Sequence, residues 1–166
     1  MRTDTSSPSI ARYFDFFEGS WTATMQRREL DDLLQPITGW TAFDATVNVT
    51  RLLEGNAFLE VVNMHAAGGM KRALGSRFYN PGTNQWTIFW ANEDDHQWQP
   101  PMRGGMLTGE GIDFVAGDTF GGRHVLARYR WNTLDRDRPT WEQSFSSDNG
   151  QTWTSNWIMR FERAMP

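Results

Sequence analysis

Along most of this chain apolar side chains recur at every second position, and glycine, proline, asparagine and aspartate cut the repeats at intervals of roughly 8–12 residues. In "WTATM", "FDATVNV" and "WIMRF" apolar residues alternate with polar ones over Trp21–Met25, Phe43–Val49 and Trp157–Phe161. Such alternation predicts strands with one face toward a core and the other toward water. Ten strands follow: Trp21–Arg28, Trp40–Leu52, Ala57–His65, Arg72–Tyr79, Gln85–Ala91, Met102–Thr108, Ile112–Ala116, Arg123–Trp131, Thr140–Ser146 and Gln151–Arg163. Helical spacing is confined to Ser9–Glu18 and Leu30–Leu34, both read as short helical turns. The pattern predicts an all-β, up-and-down antiparallel barrel of about ten strands with a short N-terminal helical turn, in one domain over residues 1–166.

Loop length decides which faces coincide, because residues opposite each other across a ladder share a face. In "SSDNGQTW", Ser146–Trp153, a three-residue loop Asp148-Asn149-Gly150 with left-handed Gly150 sets Phe145 opposite Trp153, Gln143 opposite Ser155 and Trp141 opposite Trp157. "YNPGTNQW" predicts a five-residue loop, Asn80 to Asn84, with Phe78 opposite Trp86 and Leu74 opposite Trp90. "LLEGNAF" predicts a two-residue Gly55-Asn56 turn that brings Arg51 opposite Glu60 on an inner face shared with Phe43, Ala45, Val47, Phe58 and Met64. The connections Glu29–Gly39, Ala66–Lys71 and Asn92–Pro101 are longer than the turns near Gly55, Pro81 and Gly109. They predict a mouth at their end, with the closed end at Trp21, Arg51 and Arg163.

Two short phrases carry resemblances. Ser146–Trp153 resembles the Asp-box of sialidases and related propellers, in which the box is a folding element that usually lies away from the active site. One box in 166 residues cannot build such a propeller, so the stretch is read as scaffold, with Ser146 and Asp148 bonding turn backbone and Trp153 covering the hairpin. Gly19-Ser20-Trp21, after a helical turn and at the start of the first strand, resembles the GxW signature of lipocalins and calycin-type barrels. There the tryptophan plugs the closed end under an arginine of the last strand, a role the resemblance implies for Arg163, with Arg160 as the competing choice. With "YNPGTNQWTIFWAN" and "WEQSF" the whole chain is similar to a bacterial lipocalin-like family. The order of elements also resembles nitrobindin and fatty-acid-binding barrels. Nitrobindin-type barrels hold haem through a histidine, and the last two predicted strands have none, so no cofactor is expected.

Composition narrows the function classes. A net charge of −4 gives little attraction for phosphates and argues against a nucleic-acid partner. With no cysteine there is neither a disulfide nor a thiolate metal site. The start "MRTDTSSPSIARYF" lacks an apolar leader core and no apolar run reaches membrane-spanning length, so no membrane partner and a cytoplasmic location are expected. Nine tryptophans, within an aromatic content of 14%, suit an aromatic core or an aromatic-lined pocket.

The polar candidates are few. Arg51 and Glu60 read as an ion pair or a ligand anchor. Trp86, Trp90, Tyr129, Trp141 and Trp157 fall on predicted inner faces with Gln143 among them, an arrangement that suits a small-molecule pocket. Trp98, on the long loop "ANEDDHQWQPPM", is placed to cover the mouth. Its acids Glu93, Asp94 and Asp95 beside His96 point in divergent directions on a turn and read as solvated, so no metal site is expected. Neither a G-x-S-x-G elbow nor a phosphate-binding glycine loop is present. Three readings result. One is binding of a small hydrophobic or aromatic molecule by Trp90, Trp98, Tyr129, Gln143 and Trp157, with Arg51 and Glu60. The second is an isomerase, cyclase or lyase that uses Glu60, Tyr129 or His65 as acid or base. The third is a filled barrel that acts as an interaction protein through an outward strand face, with a second copy of the chain, in a homodimer, as the candidate partner.

Overall fold

The computed structural model describes residues 9–165. Residues 1–8, on which the reading of the leader partly rests, lie outside the described residues. A 3-10 helix, Ile10–Phe17, occupies the predicted N-terminal turn and is followed by β1 (Gly19–Arg27), β2 (Thr41–Leu52), β3 (Ala57–Ala66), β4 (Gly69–Asn80) and β5 (Gln85–Asn92). Then come β6 (Met102–Gly104), β7 (Met106–Leu107), β8 (Gly111–Phe120), β9 (Arg123–Asn132), β10 (Thr140–Ser146) and β11 (Thr154–Arg163). All belong to one antiparallel sheet in which each strand pairs with its neighbour in sequence, except that β6 and β7 form its two edges, while β1 also pairs with β11. The result is a nearly closed up-and-down barrel, as the alternation predicts.

Closure depends on one segment. The single strand read as Met102–Thr108 is broken at Gly104-Gly105: its first part pairs with β5 and its second with β8. Both glycines have positive φ, +137° and +117°, where a side chain is strained. A Cβ on Gly105 would also lie 3.2 Å from Ile112 Cδ1 and 3.4 Å from Ile10 Cδ1. The glycines that weaken this stretch as a plain strand are what lets it serve both edges.

Inward positions form one continuous core, including Trp21, Ala23 and Met25 of β1, Ala45, Val47 and Val49 of β2, and Trp157, Met159 and Phe161 of β11. Three predicted registers shift. Asn80 pairs with Gln85, so the β4–β5 loop has four residues, and Tyr79 rather than Phe78 faces Trp86. At β2–β3, Leu52 pairs with Ala57, so Arg51 faces Phe58 and Glu60 faces Val49. Here Leu53, Glu54 and Gly55 all take positive φ, and Arg51 Nη2 donates to the Glu54 carbonyl at 3.0 Å. Parity survives this change, because the shift is by two in the pairing sum; it does not survive at β4, where a shift by one turns the strand over.

At β10–β11, Phe145 pairs with Thr154 and Gln143 with Trp157, and a bulge between them adds Asn156 to β11. The loop is longer than three residues because Asp148 ties Thr152 into it, through Thr152 Oγ1 to Oδ2 at 2.6 Å and Thr152 N to Oδ1 at 2.9 Å. Ser146 Oγ accepts from Gly150 N at 2.8 Å, and Trp153 Nε1 donates to the Gly150 carbonyl at 3.0 Å. Side chains of Ser146 and Asp148 therefore hold the loop backbone. Leu30–Leu34 is not helical: Leu30 bridges to Pro36, and Asp31 Oδ1 accepts from the backbone N–H of Leu33 and Gln35. Among the described residues no helix is long and apolar enough to cross a membrane.

Candidate functional site

The helix and the strand ends beneath it fill one half of the barrel. Phe14 and Phe17, three residues apart on a 3-10 helix, share a face. They pack against Trp86, Phe114, Trp131 and Phe161 at ring separations of 5.1 to 6.3 Å. Trp21 is buried beneath, its indole donating to the Phe17 carbonyl at 2.9 Å. Arg163 lies over the Trp21 ring at 4.2 Å and donates to the carbonyls of Phe16 and Glu18 and to Asp137. Arg160 points to the other face of β11, where it meets Gln26. The closed end is thus at Trp21 and Arg163.

Above this plug lies a buried ion pair. Glu60 of β3 and Arg77 of β4 are joined through Arg77 Nη2 and Glu60 Oε1. Gly75 stands directly opposite Glu60, and a Cβ there would come within 3.0 Å of Glu60 Oε2, so the glycine makes the carboxylate's room. The rest of the Arg77 guanidinium is surrounded by aromatic faces, with Cζ 4.2 Å from the Phe14 ring centre, 4.9 Å from Phe17 and 5.3 Å from Trp131. Burial pushes the Arg77 pKa down, and Glu60 opposes that shift. The expected partner, Arg51, is instead on the rim of the closed end, 3.6 Å from Asp15. It does not line the cavity.

A cavity of about 160 Å³ opens above the pair, toward the mouth. Trp90, Tyr129, Trp141 and Trp157 form its aromatic wall, Glu60 and Arg77 its polar floor, and Gln143 contributes an amide. The tryptophans meet edge to face: Trp157 is 5.7 Å from Trp90 and 5.5 Å from Trp141. Each position follows from strand parity on β5, β9, β10 and β11. The Asn156 bulge adds a local anchor, since Gln143 Nε2 donates to Asn156 Oδ1 at 3.2 Å. Burial pushes the Tyr129 hydroxyl pKa up, with Asp118 adding to the shift, and so keeps it neutral.

At the rim, Arg27 of β1 stacks on Trp157 at 4.2 Å, beside Asn92 and Gln99. The acids of the 93–95 turn each have a partner: Asp94 with Lys71, Glu93 with Arg72, and Asp95 with the amides of Asn92 and Gln99. They are surface contacts. Trp98 packs against Phe89 at 6.1 Å, is 48% exposed, and lies outside the cavity lining, where Gln99 takes its place. His65 is exposed on the outer face of β3, remote in orientation from the lumen.

The structure therefore brings together Glu60, Trp90, Tyr129, Gln143 and Trp157, and leaves Arg51, His65 and Trp98 outside. Sequence reasoning missed Arg77, Arg27 and Gln99. Pairing Tyr79 with Trp86, two aromatics flanking the loop, would have turned Arg77 inward. For Arg27 the signal was its position two residues after Met25, on the inner face.

No protein-family model matches this chain, and no curated protein matches it. The barrel and its Trp21–Arg163 floor fit a lipocalin-like fold. Among solved structures the chain is similar to EF1p2_mFAP2b bound to DFHBI, with 9% identity over 94% of this chain and 100% of that one, at a TM-score of 0.49.

Proposed function

We propose that the protein binds a small, largely apolar or aromatic molecule in the mouth half of the barrel. The observation that carries this reading is the cavity of about 160 Å³ walled by Trp90, Tyr129, Trp141 and Trp157. An apolar protein cavity of about 150 Å³ accommodates benzene, so the space suits one ring or its equivalent, with any larger part of a ligand left at the rim. Aromatic walls with a few polar groups are the usual make-up of such sites. Binding is favoured over turnover because Glu60 is committed to Arg77, His65 lies on the outside, and burial raises the Tyr129 hydroxyl pKa above its already high ordinary value, away from acid–base work near neutral pH. Tryptophan fluorescence titrated with a panel of single-ring compounds, beside native mass spectrometry, tests the reading. Saturable quenching or a bound mass supports it; a flat response across the panel with no bound mass overturns it.

A second reading concerns assembly. Leu59, Val61, Leu74 and Phe78 are 36 to 46% exposed on the outer face of β3 and β4, and Val61 and Leu74 are direct cross-strand partners. An uncharged patch of this kind suits an isologous contact with a second copy of the chain. Light scattering at rising concentration should give a dimer that Phe78→Ser dissolves. A monomer throughout overturns this reading.

A further inference from the structure

We infer that the cavity takes a small aromatic monocarboxylate, with its ring beside Trp90, Trp141 and Trp157 and its carboxylate on the Arg27 guanidinium at the rim. This rests on the binding reading above and adds the charge of the ligand. Three ionised side chains line the cavity: Glu60, Arg77 and Arg27. Glu60 and Arg77 neutralise each other, and Arg77's remaining surface is occupied by Phe14, Phe17 and Trp131. Arg27 is different. Among the described residues its guanidinium forms neither an ion pair nor a hydrogen bond, and its one contact of note is the face of Trp157.

The acids nearest in sequence to the rim do not supply that partner. Glu93 and Asp94 are held by Arg72 and Lys71. Asp95 accepts from Asn92 Nδ2 at 2.7 Å and from Gln99 Nε2 at 3.1 Å. Those bonds also commit the rim amides, since Asn92 Oδ1 in turn accepts from Trp90 Nε1 at 2.9 Å. Asp95 shares a neighbouring rim groove with Arg27 but forms no ion pair with it, so among the side chains that line the cavity Arg27 is the one charge without an ionic partner. Tyr129 adds a neutral hydroxyl that makes no hydrogen bond to a described residue, and the Trp157 indole N–H has no partner either. Donors in excess call for a ligand that brings acceptors.

Size and geometry select the acceptor. A guanidinium fork matches a carboxylate through two parallel bonds, and the contact with the Trp157 ring keeps the Arg27 guanidinium at the rim. The space beneath holds about one ring. A planar ring carrying one carboxylate fits both ends at once.

The test uses phenylacetate and its neutral isostere phenylacetamide, titrated by calorimetry and tryptophan fluorescence at low ionic strength. Phenylacetate should bind at least ~10-fold more tightly than the amide, as expected for a hydrogen bond between charged groups. Arg27→Gln should bring the two affinities to within ~3-fold of each other, and Arg27→Lys, which keeps the charge but not the fork, should fall between. Arg160→Gln, which removes an equal charge from the outer face, should leave the ratio as in wild type. Equal affinities in wild type, or a ratio that survives Arg27→Gln, overturn this inference and leave the binding reading standing. If neither compound binds while a neutral member of the wider panel does, the inference falls alone. If nothing binds, both fall.

Discussion

Glu60 on β3 and Arg77 on β4 form a buried ion pair, in a space kept open by the missing side chain of Gly75. Removing one partner of such a pair leaves the other charge buried and alone. Arg77→Met should therefore destabilise the fold by about 3–5 kcal/mol, while Glu60→Leu with Arg77→Met should recover most of that loss. Urea unfolding of both variants and wild type reads the difference. Equal stabilities for the single and double variants would show that the pair is not what Arg77 contributes.

Gly75→Ala examines the same space from the other side. A Cβ there meets Glu60 Oε2 at 3.0 Å and Cδ at 3.1 Å, tighter than ordinary contact. The carboxylate must shift against Arg77, and overpacking of this kind costs about 1–3 kcal/mol. A neutral effect in thermal unfolding would mean that Glu60 has another place to go.

Trp90 is half-buried, so its removal costs the fold less than that of a fully buried tryptophan. Trp90→Ala should weaken binding of the best single-ring ligand by about 2 kcal/mol, or roughly 30-fold, while circular dichroism stays that of a folded barrel. An unchanged affinity would remove Trp90 from the wall that matters.

Thr152, through its hydroxyl and then its backbone N–H, and Ser146 hold the Asp148 carboxyl at about 2, below its ordinary 3.8. A folded-state pKa below the unfolded one contributes stability that is fully present above the unfolded value and is lost as pH falls toward the folded one. Wild type should thus lose stability between about pH 4 and pH 2 partly through this loop. Asp148→Asn should start lower at pH 6 and fall less steeply across that window. Parallel acid limbs for the two proteins would show that the loop's carboxylate does not set the slope.

Strand faces were legible because a period of two depends only on which residues alternate. Trp21, Met25, Val47, Trp141, Trp157 and Phe161 are all inside, as alternation predicts. Loop lengths were less legible, because a turn's residue count depends on side-chain bonds that composition does not reveal. At Pro81–Asn84, one residue of miscounting placed Phe78 inside and Arg77 outside, since an arginine facing a core is what patterning argues against. That slip hid the true partner of Glu60. The Asp148 network similarly lengthened a loop that Asn149-Gly150 alone would make short. Trp98 could not be placed at all by parity, because an irregular connection has no faces.

The break at Gly104-Gly105 also bears on the order of assembly. The run from β1 to β5 and the run from β8 to β11 are each meanders of adjacent hairpins, whose pairings close short stretches of chain and can form early. Joining them requires the distant ends to meet, β1 against β11, and the six residues from Met102 to Leu107 to serve both halves. The protein is in this sense two half-pipes with a far seam and a near hinge. The near hinge, with only three residue pairs on one side and two on the other, is where the wall should part first when the native state opens.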